Sequence, residues 1–217
     1  HATVHSINNT YIQNALIAMA ISHVYKFVDI QSTFLRNRAS LGGAGINIDH
    51  FTSTYIMHSL FVLNEKEAIH IDHGDTSKIS LNNKQLSNAN KNKAIFLKNQ
   101  FINNTGQYTG AVYITYCKLL LIQSCYAYNN YAVYHGGVFH GEDIKHLVIQ
   151  RSNFIMNQAG SGGSVALKMS IYVRISDSQF RENIAFQQGG SLYIEGVKGK
   201  TSTIELPCNV FISTDYR

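Results

Sequence analysis

The chain has 217 residues, 45% hydrophobic and only 14% charged, which excludes a disordered chain and points to a surface dressed in Asn, Ser, Thr and Gln. Its formal charge of +5 comes from 18 Lys+Arg against 13 Asp+Glu, scattered except for a cluster between Lys84 and Lys98, which reads as a solvated loop and not as a nucleic-acid stripe. The three cysteines, Cys117, Cys125 and Cys208, show no CxxC or Cys/His metal spacing, so a disulfide scaffold is excluded, and no apolar run is long enough to cross a membrane as a helix.

Along the chain an aromatic residue returns at near-regular intervals: Tyr11, Phe34, Phe61, Phe101, Tyr126, Phe154, Phe180 and Phe211, separated by 23, 27, 40, 25, 28, 26 and 31 residues. Three residues after it stands an asparagine, at Asn14, Asn37, Asn64, Asn104, Asn129, Asn157 and Asn183, broken only by Thr214 in the last unit. Two residues before it stands Ser or Asn, at Asn9, Ser32, Ser59, Asn99, Ser124, Ser152, Ser178 and Asn209. A period of this size is the signature of a stacked repeat. The apolar pairs Leu119/Leu121, Leu147/Ile149, Val173/Ile175 and Ile204/Leu206 belong to a second strand. Val112/Ile114, Val165/Leu167 and Leu192/Ile194, after Gly-Gly, belong to a third. Three short strands per turn predict an all-β chain: one right-handed, single-stranded parallel β-helix of about eight turns spanning 1–217. Phe should stack on Phe, and Asn on Asn at a corner where amides hydrogen-bond along the stack.

Two stretches depart from the repeat. The polar Asn/Lys-rich segment 74–93 predicts a loop leaving the solenoid, with an extra strand near Lys78–Leu81. Asn14–His23, rich in Ala, Ile and Met, admits a helix, although the aromatic repeat runs through it.

The pairing of Phe-x-x-Asn (Phe34-Leu-Arg-Asn37, Phe61-Val-Leu-Asn64, Phe154-Ile-Met-Asn157) with Gly-Gly-small (Gly162-Gly-Ser-Val165, Gly189-Gly-Ser-Leu192) resembles the repeats of the polymorphic outer-membrane protein family, bacterial autotransporters with pectin-lyase-like β-helical passengers. The resemblance covers nearly the whole chain as short degenerate motifs. It implies an extracellular or cell-surface place and an adhesive or structural role. Nothing in the sequence matches a β-barrel translocator.

Chemistry-bearing constellations are sparse. Polysaccharide-cleaving β-helices need clustered carboxylates with Arg or Lys beside them, whereas Asp29, Asp49, Asp72, Asp75, Asp143, Asp177 and Asp215 are spread and no Asp-Asp pair occurs. His135-Gly136-Gly137 has no acidic match in the sequence of adjacent turns. The expectation is therefore no enzyme and no cofactor. Ile46-Asn-Ile-Asp49-His50 and Ile69-His-Ile-Asp72-His73 lie 23 residues apart, one short turn, so Asp49, His50, Asp72 and His73 form a candidate metal site against the plainer reading of a polar corner. Asn8-Asn-Thr10 and Asn103-Asn-Thr105 make Asn8 and Asn103 candidate glycosylation sites. Val28, Tyr55, Ile95, Leu120 and Val148, six residues before the aromatic, predict an outward apolar stripe for lateral contacts.

The chain opens with His1, so a leader has been removed or the sequence belongs to something longer. The first strand is expected at about Val4, with no capping helix before it, and the last unit stops at Arg217 in mid-turn. Open ends of this kind lead to the expectation of a structural protein whose copies stack head to tail into a filament or surface layer. The competing expectations are a carbohydrate-binding adhesin segment of a longer surface protein, using outward Tyr113, Tyr193 and neighbouring Asn, and a polysaccharide lyase or hydrolase. No nucleic-acid partner is expected.

Overall fold

A computed structural model describes residues 2–72, 92–197 and 201–212, and every regular element among them is a β-strand. The strands stack in parallel into a β-solenoid with three long walls and a short four-stranded sheet, Thr105–Gly106, Tyr131–Ala132, Gln158–Ser161 and Ile184–Gln188, in the segments that lead from the second wall to the third. The first wall holds Thr3–Ile7, the C-terminal halves of Met19–Ile30 and Ile46–Met57, then Lys93–Leu97, Leu119–Gln123, His146–Gln150, Tyr172–Ser176 and Thr203–Glu205. The second wall is an eight-stranded sheet of three-residue strands from Thr10–Ile12 to Val210–Ile212. The third holds the N-terminal halves of the same two long strands, then Ile69–Asp72, Val112–Thr115, Phe139–Glu142, Val165–Ser170 and Leu192–Gly196. Because Met19–Ile30 and Ile46–Met57 run unbroken from the third wall into the first, these two walls form one thirteen-stranded sheet. The stretch that admitted a helix is strand from Met19 onward. Eight strands in the second wall bound seven complete turns, so the repeat counts one more unit than the solenoid has turns.

The corner that follows the second wall is bent without glycine, whereas the one before the third wall uses left-handed Gly42, Gly136, Gly162 and Gly189. The residue before each corner asparagine, from Gln13 through Arg36, Leu63, Asn103, Asn129 and Met156 to Glu182, takes a left-handed φ of 52–55°. An L side chain held there costs roughly 1–2 kcal/mol. An amide ladder offsets it. The Nδ2 of Asn14, Asn37, Asn64, Asn104, Asn130 and Asn157 each donates to the Oδ1 of the asparagine one turn on, at 2.7–3.1 Å. Each of those Oδ1 atoms also accepts the backbone N–H of the preceding asparagine. A buried amide with both donors and its acceptor engaged has no desolvation penalty left to carry.

Asn129 is not in this ladder; Asn130 is. The repeat at this turn sits one residue later than the sequence motif suggests. Ala127 pairs with Phe101 and Phe154 in the second wall, where Tyr126 was expected, and the backbone N–H of Cys125, not of Ser124, donates to Ser152 Oγ. The shift carries back into the first wall, where Leu120 and Ile122 face inward in place of Leu119 and Leu121. Leu120 therefore leaves the outward stripe, which runs through His5, Val28, Tyr55, Ile95, Leu121, Val148 and Arg174. Val28 on that stripe is already buried.

The core is a column of rings on the inner side of the second wall. Tyr11, Phe34 and Phe61 stack at 4.8 Å, as do Phe154 and Phe180, and the spacing is that of neighbouring strands. Inward Ile46, Ile69 and Val112 of the third wall and Ile56, Phe96 and Ile149 of the first close the interior. The loop expected at 74–93 lies outside the described residues apart from Asn92 and Lys93, and Lys93 already opens a strand of the first wall.

Candidate functional site

In the third wall alternation turns every second side chain outward, and parallel register lines those side chains into two columns along the axis. One column reads Ala20, Asn47, His70, Tyr113, His140, Ala166, Tyr193. The other reads Ser22, Asp49, Asp72, Thr115, Glu142, Lys168, Glu195. Tyr113 is the centre. Its ring stacks on His140 at 5.5 Å and meets His70 at 4.9 Å. The chain before each strand adds a rim: exposed Tyr108 stands 6.2 Å from Tyr113 and 5.8 Å from exposed Tyr134.

A hydrogen-bond network holds the floor. His140, fully buried, donates from Nε2 to Glu142 Oε1 at 2.9 Å, and Glu142 also accepts the Tyr113 hydroxyl. The bond from His140 holds the Glu142 carboxyl below its usual range, against the opposing effect of burial, so it is ionised at neutral pH. Burial, then the neighbouring Glu142, push the Tyr113 hydroxyl far above its ordinary value, so it stays a donor. Lys168 Nζ donates to His135 Nε2 at 2.9 Å, and the His135 ring stacks on His140 at 4.9 Å. Burial, with His140 and Lys168 beside it, lowers the His135 pKa to about 4. Burial also lowers that of His70, so neither ring carries charge at neutral pH. Thr115 Oγ1 donates to Asp72 at 2.7 Å. The face thus combines half-exposed rings, fixed carboxylates and the neutral imidazoles of His70 and His135.

Of the residues singled out in the sequence, Asp49 and Asp72 lie in register on adjacent strands of this face. His50 bonds to Asp49 and stacks at 4.8 Å on His23, one turn back; His73 lies outside the described residues. Among the described residues no three His, Cys, Asp or Glu side chains converge as a metal site. Asn8 is exposed, while Asn103 is half-buried with its Oδ1 accepting from Asn129, and both sit at left-handed corners. Tyr113 and Tyr193 both face outward, as expected. The sequence reading passed over His70, His140 and Glu142. The signal was the alternation of Ile69-His-Ile-Asp72, Val112-Tyr-Ile-Thr115 and Phe139-His-Gly-Glu142 once these strands are aligned on the glycines before them.

No protein-family model matches the chain, and neither a curated protein nor a solved structure matches it.

Proposed function

We propose that this β-solenoid is an extracellular carbohydrate-binding module whose binding face is the outer side of the third wall. The observation that carries the proposal is Tyr113, set between His70 and His140, rimmed by exposed Tyr108 and bonded to an ionised Glu142. Rings that offer an apolar face, next to fixed acceptors and donors, suit a ligand with C–H faces and hydroxyl edges. The columns run along the axis, so an extended polymer lying across successive strands would meet the same chemistry repeatedly. The likeness of the repeats to those of autotransporter passengers and the two Asn-x-Thr sequons support a place outside the cell. Head-to-tail stacking of copies, expected from the sequence, would lengthen such a face and add avidity.

The test is a glycan array probed with the whole chain, followed by titration of the strongest ligand. The double variant Tyr108→Ala/Tyr134→Ala, both at exposed positions, should keep the melting temperature and weaken binding at least about tenfold. An array without any bound glycan, or a double variant that binds as the wild type does, overturns the proposal.

A further inference from the structure

Resting on that reading, we infer that the face selects glycans carrying protonated amines, the chemistry of a deacetylated amino-sugar polymer, over neutral and acidic ones. The protein as a whole is basic, with a formal charge of +5. Its third wall is the reverse. The outward column carries four carboxylates, Asp49, Asp72, Glu142 and Glu195, and one cation, Lys168, whose ammonium is turned onto His135. Buried Glu67 adds a fifth carboxylate beside His70, and Lys66 a second cation.

The bonded partners of Asp49, Glu142 and Glu195 are imidazoles and phenols. Asp49 bonds to His50, Glu142 to His140 and Glu195 to the Tyr193 hydroxyl; Lys168, next to Glu142 and Glu195 in register, is the cation that acts on Glu142, and its ammonium is bonded to His135. Two of the histidines at the centre, His70 and His135, do not cancel the field, because burial keeps them neutral. The rings next to the carboxylates favour the same ligand. Tyr108 is 53% exposed and Tyr134 45%, so both offer their faces to a cation, an arrangement that strengthens with partial desolvation. An ammonium on this face therefore gains from carboxylate and ring together, whereas a uronate or sulfate meets like charge. Spacing adds a further match. Asp49 and Asp72 lie on adjacent strands, roughly 4.8 Å apart along the axis, and Glu142 lies two strands beyond Asp72, so a repeating polycation finds repeated partners.

Binding of the whole chain is measured against one polymer backbone in its deacetylated and fully acetylated forms, and against an acidic polysaccharide, below neutral pH where sugar amines are protonated. The deacetylated form should bind tightest, by roughly tenfold or more, with affinity falling as salt rises. In Asp72→Asn/Glu142→Gln the ratio of deacetylated to acetylated affinity should fall toward one. Should that variant not fold, Asp49→Asn/Glu195→Gln, at the margins of the face, should lower the ratio in the same direction. Equal binding of both forms, or preference for the acidic polymer, overturns amine selection and leaves glycan binding standing. Binding of none of the three overturns both.

Discussion

The ring of Phe139 occupies the gap that Ala127 leaves in the aromatic column. It stands edge-on to Phe101 at 5.6 Å and to Phe154 at 6.2 Å, the two rings on either side of Ala127. Phe139 comes from the opposite wall, so one turn of the core is filled from the third wall and not from the second.

The pair should behave as a unit under mutation. Phe139→Ala should cost about 3–5 kcal/mol through the void it leaves. Ala127→Phe alone should cost roughly 1–3 kcal/mol by overpacking against Phe139. Combined, the new ring would take the place of the old one, and the double variant should be more stable than the sum of the two losses by at least about 1 kcal/mol. Urea unfolding of the four proteins measures this, and strict additivity would show that Phe139 does not fill for Ala127.

That same turn is where the sequence misleads. Ser124, Tyr126 and Asn129 satisfy the Ser-x-aromatic-x-x-Asn pattern, while the residues in register are Cys125, Ala127 and Asn130. Asn129 and Asn130 are adjacent, so either completes the motif. The strand before it, Leu119-Leu-Leu-Ile122, is apolar at every position and gives no alternation to choose the phase. Elsewhere a polar residue between the apolar ones settles the register, as Arg174 does between Val173 and Ile175. The solenoid was legible because both ladders repeat in chemistry as well as spacing. The outward face was legible only strand by strand. Its rim residues, Tyr108, Tyr134 and His135, come from connecting segments whose positions depend on how turns stack.

The two asparagines should separate by stability. Asn130 Oδ1 accepts from the backbone N–H and the Nδ2 of Asn104, and its Nδ2 donates to Phe101 O and Asn157 Oδ1. Asn130→Ala strands the buried Asn104 N–H and breaks the ladder, with a cost of about 3 kcal/mol or more. Asn129→Ala loses one exposed bond, to Asn103, and a residue suited to a left-handed corner, for about 1 kcal/mol. Chemical denaturation that gives equal losses would place the ladder wrongly.

Acid should loosen the third wall through His135. Its pKa in the fold, about 4, lies below the ordinary 6.5, so between these values the unfolded chain takes up a proton that the folded chain refuses. Stability from this group is complete above about pH 6.5 and is lost as pH falls toward 4. His140, Lys168, Glu142 and Glu195 are the charged or titratable groups acting on it, and the lowered Glu142 carboxyl adds loss in the same direction at still lower pH. His135→Gln keeps an acceptor for Lys168 without a titrating ring, so its melting temperature should fall less steeply over this window. Parallel curves for wild type and variant would remove His135 as the cause.

The second glycine of Gly162-Gly163 and that of Gly189-Gly190 hold the same place in the repeat, with Gly163 N–H donating to Gly190 O at 2.8 Å, yet they should tolerate alanine differently. A Cβ on Gly163 would collide with the carbonyl oxygens of Gly190 and Ile184. Both are backbone atoms held by the turn that stacks on it, so neither can swing aside as a side chain would. At Gly190 the described residues leave the Cβ position open, with no atom within 4 Å. Neither residue has a left-handed φ, so the difference comes from space and not from glycine's conformational freedom. Gly163→Ala should therefore cost about 3 kcal/mol or more, or prevent folding, by forcing adjacent turns apart. Gly190→Ala should cost under about 1 kcal/mol, and the smaller entropy of the unfolded chain could make it neutral. Urea midpoints for the two variants test this: equal losses would mean that the turns do not approach as closely at Gly163 as the stacking requires.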